Sequence, residues 1–281
     1  MTTNTSTHAP AEAATSRDVV RQIVVVVTAV LAIVLAAVGS GAFGGVSVAD
    51  AAGGALSATA TTVAPATTAF GIWSVIYLGL VAYAIYQALP GQRAVTRHRR
   101  LGYWVAASLL LNAAWLFAAV QLGSVWLGAV VIVALLLVLA RIFVILFHTA
   151  SSGWVDAVVT DGTLGLYLGW VSVATVANIA AGLVDAGFDG FGFAAGFWSS
   201  VVLGVAALVG VVLALAGRGR IAPALSLSWG LAWIAVGRLT GEPENVVAGV
   251  AAIVAAVVVL FVTIAVRAAR GRVGATASLQ R

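Results

Sequence analysis

The chain has 281 residues, of which 62% are hydrophobic and only 8% are charged, and its formal net charge is +5. In soluble domains about a quarter of the residues are charged, so this composition is that of an integral membrane protein. The positive charge does not indicate nucleic-acid binding, because the arginines lie at the ends of apolar stretches. The absence of cysteine excludes disulfides and thiolate metal sites, and the absence of lysine excludes a retinal-type Schiff base.

Eight apolar stretches are predicted as membrane-spanning helices, at about 20 residues per span. In chain order they are residues 22–39, 70–89, 101–121, 125–148, 164–184, 197–216, 223–236 and 246–266. The fold class is therefore predicted as all-α, a polytopic membrane helix bundle of about eight transmembrane helices. The segments 1–21 and 267–281 are predicted to be tails, the first of them disordered, and both are placed in the cytoplasm.

The first stretch has a rival interpretation as a secretory signal peptide. Ala49-Asp50-Ala51 resembles a small-residue cleavage site. The apolar run is long for a signal core and stands well upstream of that site, which favours a retained helix. The mass of the intact purified protein decides between the two.

The arginines predict the orientation in the membrane. With both termini in the cytoplasm, the inner set is Arg17, Arg21, Arg93, Arg97, Arg99, Arg100, Arg218, Arg220, Arg267, Arg270, Arg272 and Arg281, and only Arg238 lies outside. Such asymmetry is what the positive-inside rule requires of a multi-pass protein of the inner or plasma membrane. Arg141 lies within the fourth stretch near its inner end, where snorkelling is favoured over a functional role.

Three of the predicted helices carry aromatic and polar side chains at helical spacing. The stripes are Phe70, Trp73 and Tyr77 in the second helix, Trp104, Ser108, Asn112 and Trp115 in the third, and Tyr167, Trp170 and Asn178 in the fifth. Gly165 and Gly169 form a small-xxx-small pattern that predicts close approach of another helix. Trp126, Trp154 and Trp198 are interpreted as interfacial anchors, and Trp104 is open to the same interpretation.

These stripes resemble motifs of the tryptophan-rich sensory protein family, also called the translocator protein or TspO/MBR family. The matching segments are Pro65 followed by the aromatic second helix, Asn112 to Trp115, and Tyr167 to Asn178. They occur in the family's order and span residues 22–184, a five-helix bundle, which leaves a three-helix segment at 185–266 outside the resemblance. The first loop, 41–69, departs from the family, since it lacks the Trp-Tyr and Lys-Pro residues and has Ala66 at the second proline.

The sequence favours binding over catalysis. His8, His98 and His148 are scattered, and no carboxylate pair is expected within a span, so metal sites, triads and a buried proton-carrying acid are not predicted. A pocket between the second, third and fifth helices is predicted instead, lined by Trp73, Tyr77, Asn112, Trp115, Trp170 and Asn178. The family resemblance implies a porphyrin-like tetrapyrrole or a sterol-like lipid as the ligand. No other cofactor is expected.

The expected partners are membrane lipid and a hydrophobic small molecule, with homodimer formation left open and nucleic acid excluded. Two alternatives stay open at this point. Instead of binding a hydrophobic ligand, the chain is either a small-solute transporter or a structural membrane protein without ligand. In the second case Asn112 and Asn178 only join helices by hydrogen bonds.

Overall fold

The structure is a computed structural model that describes residues 13–39 and 47–278. Within these residues the long elements are all helices, as predicted. They are α1 Ser16–Gly39, α2 Ile72–Ala88, α3 Thr96–Leu116, α4 Val125–Phe147, α5 Thr163–Asp185, α6 Ala195–Ala216, α7 Ile221–Thr240 and α8 Val246–Ser278. Most of the predicted N-terminal tail and the start of the first loop lie outside the described residues. The protein is a multi-pass membrane protein with a helical bundle fold.

Seven of the eight helices are long and apolar enough to cross a membrane. The exception is α7, whose two serines, two tryptophans and Arg238 lower its mean hydropathy. It nevertheless runs between the same two ends of the bundle as its neighbours. It begins at the turn where Arg220 contacts the α4 carbonyl of Leu146, and at its other end Arg238 contacts the first loop.

The helices α1 to α5 form a ring in which α1 packs against α2 and α3, α4 packs against α3 and α5, and α5 closes the ring on α2. The C-terminal helices lie on the far side of α5, where α7 packs against α5 and α8, and α8 also packs against α6. Each group has its own apolar core. The helix α5 serves both cores, since Trp170 is buried in the first and Val173 in the second.

The contact between α5 and α7 depends on glycine, as the Gly165 and Gly169 pattern predicted. A Cβ atom built at Gly165 would lie 2.8 Å from Ala222 Cβ, and one at Gly169 would overlap the backbone carbonyl of Pro223. On the α7 side, a Cβ atom at Gly230 would lie 2.9 Å from Val173 Cγ1. The Ser226 hydroxyl donates a hydrogen bond to the Leu166 carbonyl at 2.6 Å, so a side chain of α7 is also bonded to the backbone of α5.

Several predicted helix ends are wrong, and the charged residues explain why. The helix α1 begins at Ser16, inside the predicted tail, and α8 continues to Ser278, through most of the predicted tail 267–281. The helix α3 begins at Thr96, so Arg97 and His98 are buried in its first turn instead of lying in a loop. The arginines suggested a loop because burying an unpaired charge costs free energy. Ion pairs at this end of α3 compensate that cost.

The predicted loop 149–163 is also wrong in its second half, because the chain is helical from Trp154 onward. Asp156 and Asp161 therefore lie within the same span as α5. The expectation that no span contains a carboxylate pair is wrong. Arg97 Nη1 lies 3.4 Å from Asp156, and Arg97 and Arg220 both pair with Asp161. The two aspartates thus act as ion-pair partners that join α3, α5 and the α6–α7 turn.

We predict that Gly169→Ala destabilises the bundle, because the new methyl group meets the Pro223 backbone, which cannot rotate away. Overpacking of this kind costs about 1–3 kcal/mol, and a lowered thermal unfolding temperature in detergent would report it. Gly204→Ala is the matched control. It changes a glycine of α6 that has no atom within 4 Å of a built Cβ. Equal unfolding temperatures for both variants would contradict the proposed packing.

Candidate ligand-binding site

The aromatic side chains of α2 and α5 meet inside the ring of helices. The Trp73 ring stacks on Tyr77 with centroids 5.2 Å apart and meets Tyr167 and Trp170 edge to face at 5.8 and 6.3 Å. Phe70 adds a further edge-to-face contact with Trp170 at 5.7 Å. Edge-to-face and offset-stacked pairs are the favoured aromatic geometries. The predicted stripes therefore form one continuous aromatic wall.

The two asparagines join this wall to α3. Asn112 Nδ2 donates to the Tyr77 hydroxyl at 2.9 Å, and Trp115 Nε1 donates to Asn178 Oδ1 at 3.0 Å. The second amide is held in place, since Asn178 Nδ2 donates to the Ala174 carbonyl at 2.8 Å. Both asparagines thus make the interhelical hydrogen bonds that the structural alternative predicted.

Two adjoining cavities lie beside the wall. The larger, of about 490 Å³, lies between α1, α2, α3 and the first loop, and its lining includes Trp73, Tyr77, Asn112 and Trp115. The smaller, of about 60 Å³, shares Trp73, Asn112 and Trp115 with it and adds Trp170 and Asn178. The structure therefore brings all six predicted site residues to the walls of neighbouring cavities. The predicted position between the second, third and fifth helices is wrong for the larger cavity, which α1 borders in place of α5. That these residues bind a ligand stays a prediction.

In the structure the first loop ends at Ala66, because a helical turn begins at Thr67. Its described part, residues 47–66, lines the cavities, which the sequence did not indicate. Val48 and Leu56 contribute to both cavities, and Val63 and Ala64 are buried. The loop folds back through a short turn in which Gly53 and Gly54 have φ values of +65° and +87°, a conformation that glycine adopts without strain. Its residues are small and lack a hydrophobic period, so only the tertiary structure reveals this role.

Trp170 carries a polar group without a partner. Its side chain is 1% exposed, and its indole Nε1–H has no acceptor within the described structure. Buried N–H groups are nearly always paired, and an unpaired one costs free energy. Trp170 also lines the smaller cavity.

The remaining predicted aromatic and basic residues lie away from the cavities. Trp104, Trp126 and Trp154 are exposed on the outside of the bundle, as expected of interfacial anchors. Trp198 instead donates through Nε1 to the Gly190 carbonyl at 2.9 Å and packs on the α5–α6 turn. Arg141 is exposed, and its guanidinium lies 6.0 Å from the Trp104 ring, in agreement with the snorkelling interpretation.

A bundle of helices suited to a membrane defines the chain as a polytopic membrane protein, and an aromatic wall with two adjoining cavities lies between its helices. A family model described as "TSPO-like protein" matches residues 22–264, and the chain belongs to that family. The match continues through α6 and α7 into α8, so the prediction that the last three helices lie outside the resemblance is wrong. No curated protein and no solved structure matches the chain.

We predict that Trp115 and Asn178 are energetically coupled across α3 and α5. Asn178→Leu leaves the buried Trp115 indole N–H without its acceptor, and Trp115→Phe removes the donor. In a double-mutant cycle measured by unfolding in detergent, the pair should show a coupling of roughly 1 kcal/mol. The same Asn178→Leu change combined with Trp104→Phe should be additive, because Trp104 is exposed on the outer surface. Additivity in the first cycle would contradict the hydrogen bond.

Proposed function

We propose that this TspO-type membrane protein binds a flat hydrophobic ligand, a porphyrin-like tetrapyrrole or a sterol-like lipid, in the larger cavity between α1, α2 and α3, with α5 lining the smaller cavity beside it. The observation that carries the proposal is that Trp73, Tyr77, Trp115 and Trp170 converge on cavities inside the bundle. Their larger cavity, of about 490 Å³, falls within the range of roughly 300–1,000 Å³ that small-molecule sites occupy.

The lining supports this ligand chemistry. Aromatic rings and aliphatic side chains offer broad faces for a flat apolar molecule, and a few polar groups can fix its orientation. The indole N–H of Trp170 is a buried donor that lacks an acceptor among the described residues. We expect a ligand carboxylate or hydroxyl oxygen to accept from it, and tetrapyrroles and sterols carry such groups.

We propose binding rather than turnover. Among the described residues that line the two cavities there is no aspartate, glutamate or histidine. General acid–base catalysis uses such groups most often, within hydrogen-bond reach of the reacting atoms. The carboxylates Asp156 and Asp161 are paired with arginines at the other end of α3 and lie outside both cavity linings.

The test is a titration of the purified protein with a porphyrin, followed by porphyrin absorbance. Trp115→Phe with Trp170→Phe removes an anchor and the free donor, so the Kd should rise at least about tenfold, which corresponds to about 1.4 kcal/mol. Trp104→Phe with Trp154→Phe is the matched control. It removes two exposed indoles outside the cavities. Saturable binding that the first pair leaves unchanged would place the ligand elsewhere, and flux of a small solute in liposomes would support the transporter alternative.

We further propose that the arginine-rich end of the bundle faces the cytoplasm of the inner or plasma membrane. At this end Arg99 pairs with Asp18 of α1 at 2.8 Å, and Arg97 and Arg220 meet at Asp161. Positive residues are retained on the cytoplasmic side of membranes. Both termini then lie in the cytoplasm, because an even number of helices crosses the bilayer.

This orientation predicts the location of a reporter. A phosphatase that is active only outside the cytoplasm should be active when fused after Thr240, at the far end of α7. The same reporter fused after Gly91, in the α2–α3 turn, should be inactive. The reverse pattern would invert the topology, and activity at both positions would contradict the count of eight crossings.

A further inference from the structure

We propose that Arg238 positions the first loop over the two cavities and thereby slows the release of a bound ligand. The effect on release rests on the proposed function. The guanidinium of Arg238 donates four hydrogen bonds to backbone carbonyls. Two acceptors are in the first loop, Thr61 at 3.1 Å and Ala58 at 2.8 Å. The other two are in the α7–α8 turn, Pro243 at 3.1 Å and Glu242 at 3.0 Å. One side chain therefore joins two segments that are far apart in the sequence.

The burial of Arg238 argues against a simple interfacial arginine. The residue is 1% exposed, whereas Arg141 on α4 is exposed as snorkelling requires. A buried cation is costly unless its donors are satisfied. The planar guanidinium can hold several carbonyls in a fixed geometry, which a lysine ammonium cannot reproduce. The charge is thus stabilised by ordering the loop and the turn around it.

Other contacts from α6 and α7 hold the same loop. The Thr62 and Ser199 hydroxyls are hydrogen-bonded at 2.6 Å, and the Ala66 N–H donates to the Trp233 carbonyl at 3.1 Å. Just beyond the loop, Trp229 Nε1 donates to the Ala69 carbonyl at 3.0 Å. The helices α6 and α7 therefore provide attachments along the loop from Ala58 to its end.

This attached loop forms one wall of the proposed site. Val48 and Leu56 line both cavities, Ala58 lines the larger, and Thr61 lines the smaller. Ala58 and Thr61 are the residues whose carbonyls accept from Arg238. Displacement of the loop from the cavity breaks these hydrogen bonds, so Arg238 opposes opening on this side and makes a bound molecule leave more slowly.

The first experiment uses the full chain in lipid nanodiscs and compares Arg238→Gln with Arg141→Gln, which removes an equal charge from an exposed site. Hydrogen exchange of residues 47–66, measured without ligand, should be at least about tenfold faster in Arg238→Gln, because the two charge-assisted hydrogen bonds to this loop are lost. The dissociation rate of a bound porphyrin should rise by a similar factor with little change in the association rate. Arg141→Gln should match the parent in both measurements.

The second experiment restores the loop without Arg238. Because the chain has no cysteine, Thr62→Cys and Ser199→Cys can be introduced as a single pair where the two hydroxyls now touch. When molecular oxygen oxidises the two thiols to a disulfide, hydrogen exchange of residues 47–66 and porphyrin dissociation in Arg238→Gln should again be slow. Reduction of the disulfide should reverse the effect. Should Arg238→Gln fail to fold, the same cross-link in the parent should slow porphyrin release reversibly.

The outcomes separate this proposal from the proposed function. Unchanged exchange of residues 47–66 in Arg238→Gln would overturn the role of Arg238, whether or not porphyrin binds. Faster loop exchange with an unchanged porphyrin dissociation rate would overturn its control of release. In a parent that binds no porphyrin the proposed function fails, and the exchange measurement still decides whether Arg238 holds the loop.

Discussion

The close approach of α5 and α7 is the contact on which the rest of this structure depends. Without a hydrophobic driving force between helices in lipid, such contacts rely on van der Waals packing and short interhelical hydrogen bonds. Gly169 makes the close approach possible, because the Pro223 carbonyl and the Ser226 hydroxyl occupy the space that a side chain would fill. The contact fixes α7 so that Arg238 reaches the first loop. The next residue of α5, Trp170, points away from α7 into the aromatic wall.

Buried arginines are stabilised in different ways at the two ends of the bundle. At one end Arg97 and Arg220 share Asp161, so opposite charges compensate each other and join three parts of the chain. At the other end Arg238 has only backbone carbonyls as hydrogen-bond partners among the described residues. An ion pair needs two side chains at a fixed distance, whereas carbonyls are available in any loop that can turn toward the cation. The second arrangement therefore suits a segment of small residues.

The sequence grouped the aromatic and amide side chains of each helix correctly because helical spacing alone determines which side chains share a face. Trp73 and Tyr77, or Trp115 and Asn112, lie on one side of a helix whatever the tertiary structure, and the family resemblance supplied the pairing of the helices. The partial helix before α5 was missed because Asp156 and Asp161 suggest a loop when their arginine partners are unknown. Those partners, Arg97 and Arg220, are distant in the chain, and no local signal predicts the ion pairs.

The contacts of the first loop are equally hidden in the sequence. Its sequence lacks the Trp-Tyr and Lys-Pro residues that the family resemblance leads one to expect, and small side chains cannot hold a loop against a bundle by burial alone. The missing attachment comes from elsewhere in the chain, through Ser199, Trp233 and Arg238. The family match also covers these C-terminal helices, and their hydrogen bonds to the first loop join them to the ring α1 to α5. The ring supplies the aromatic wall, and α6 and α7 hold the loop that covers it.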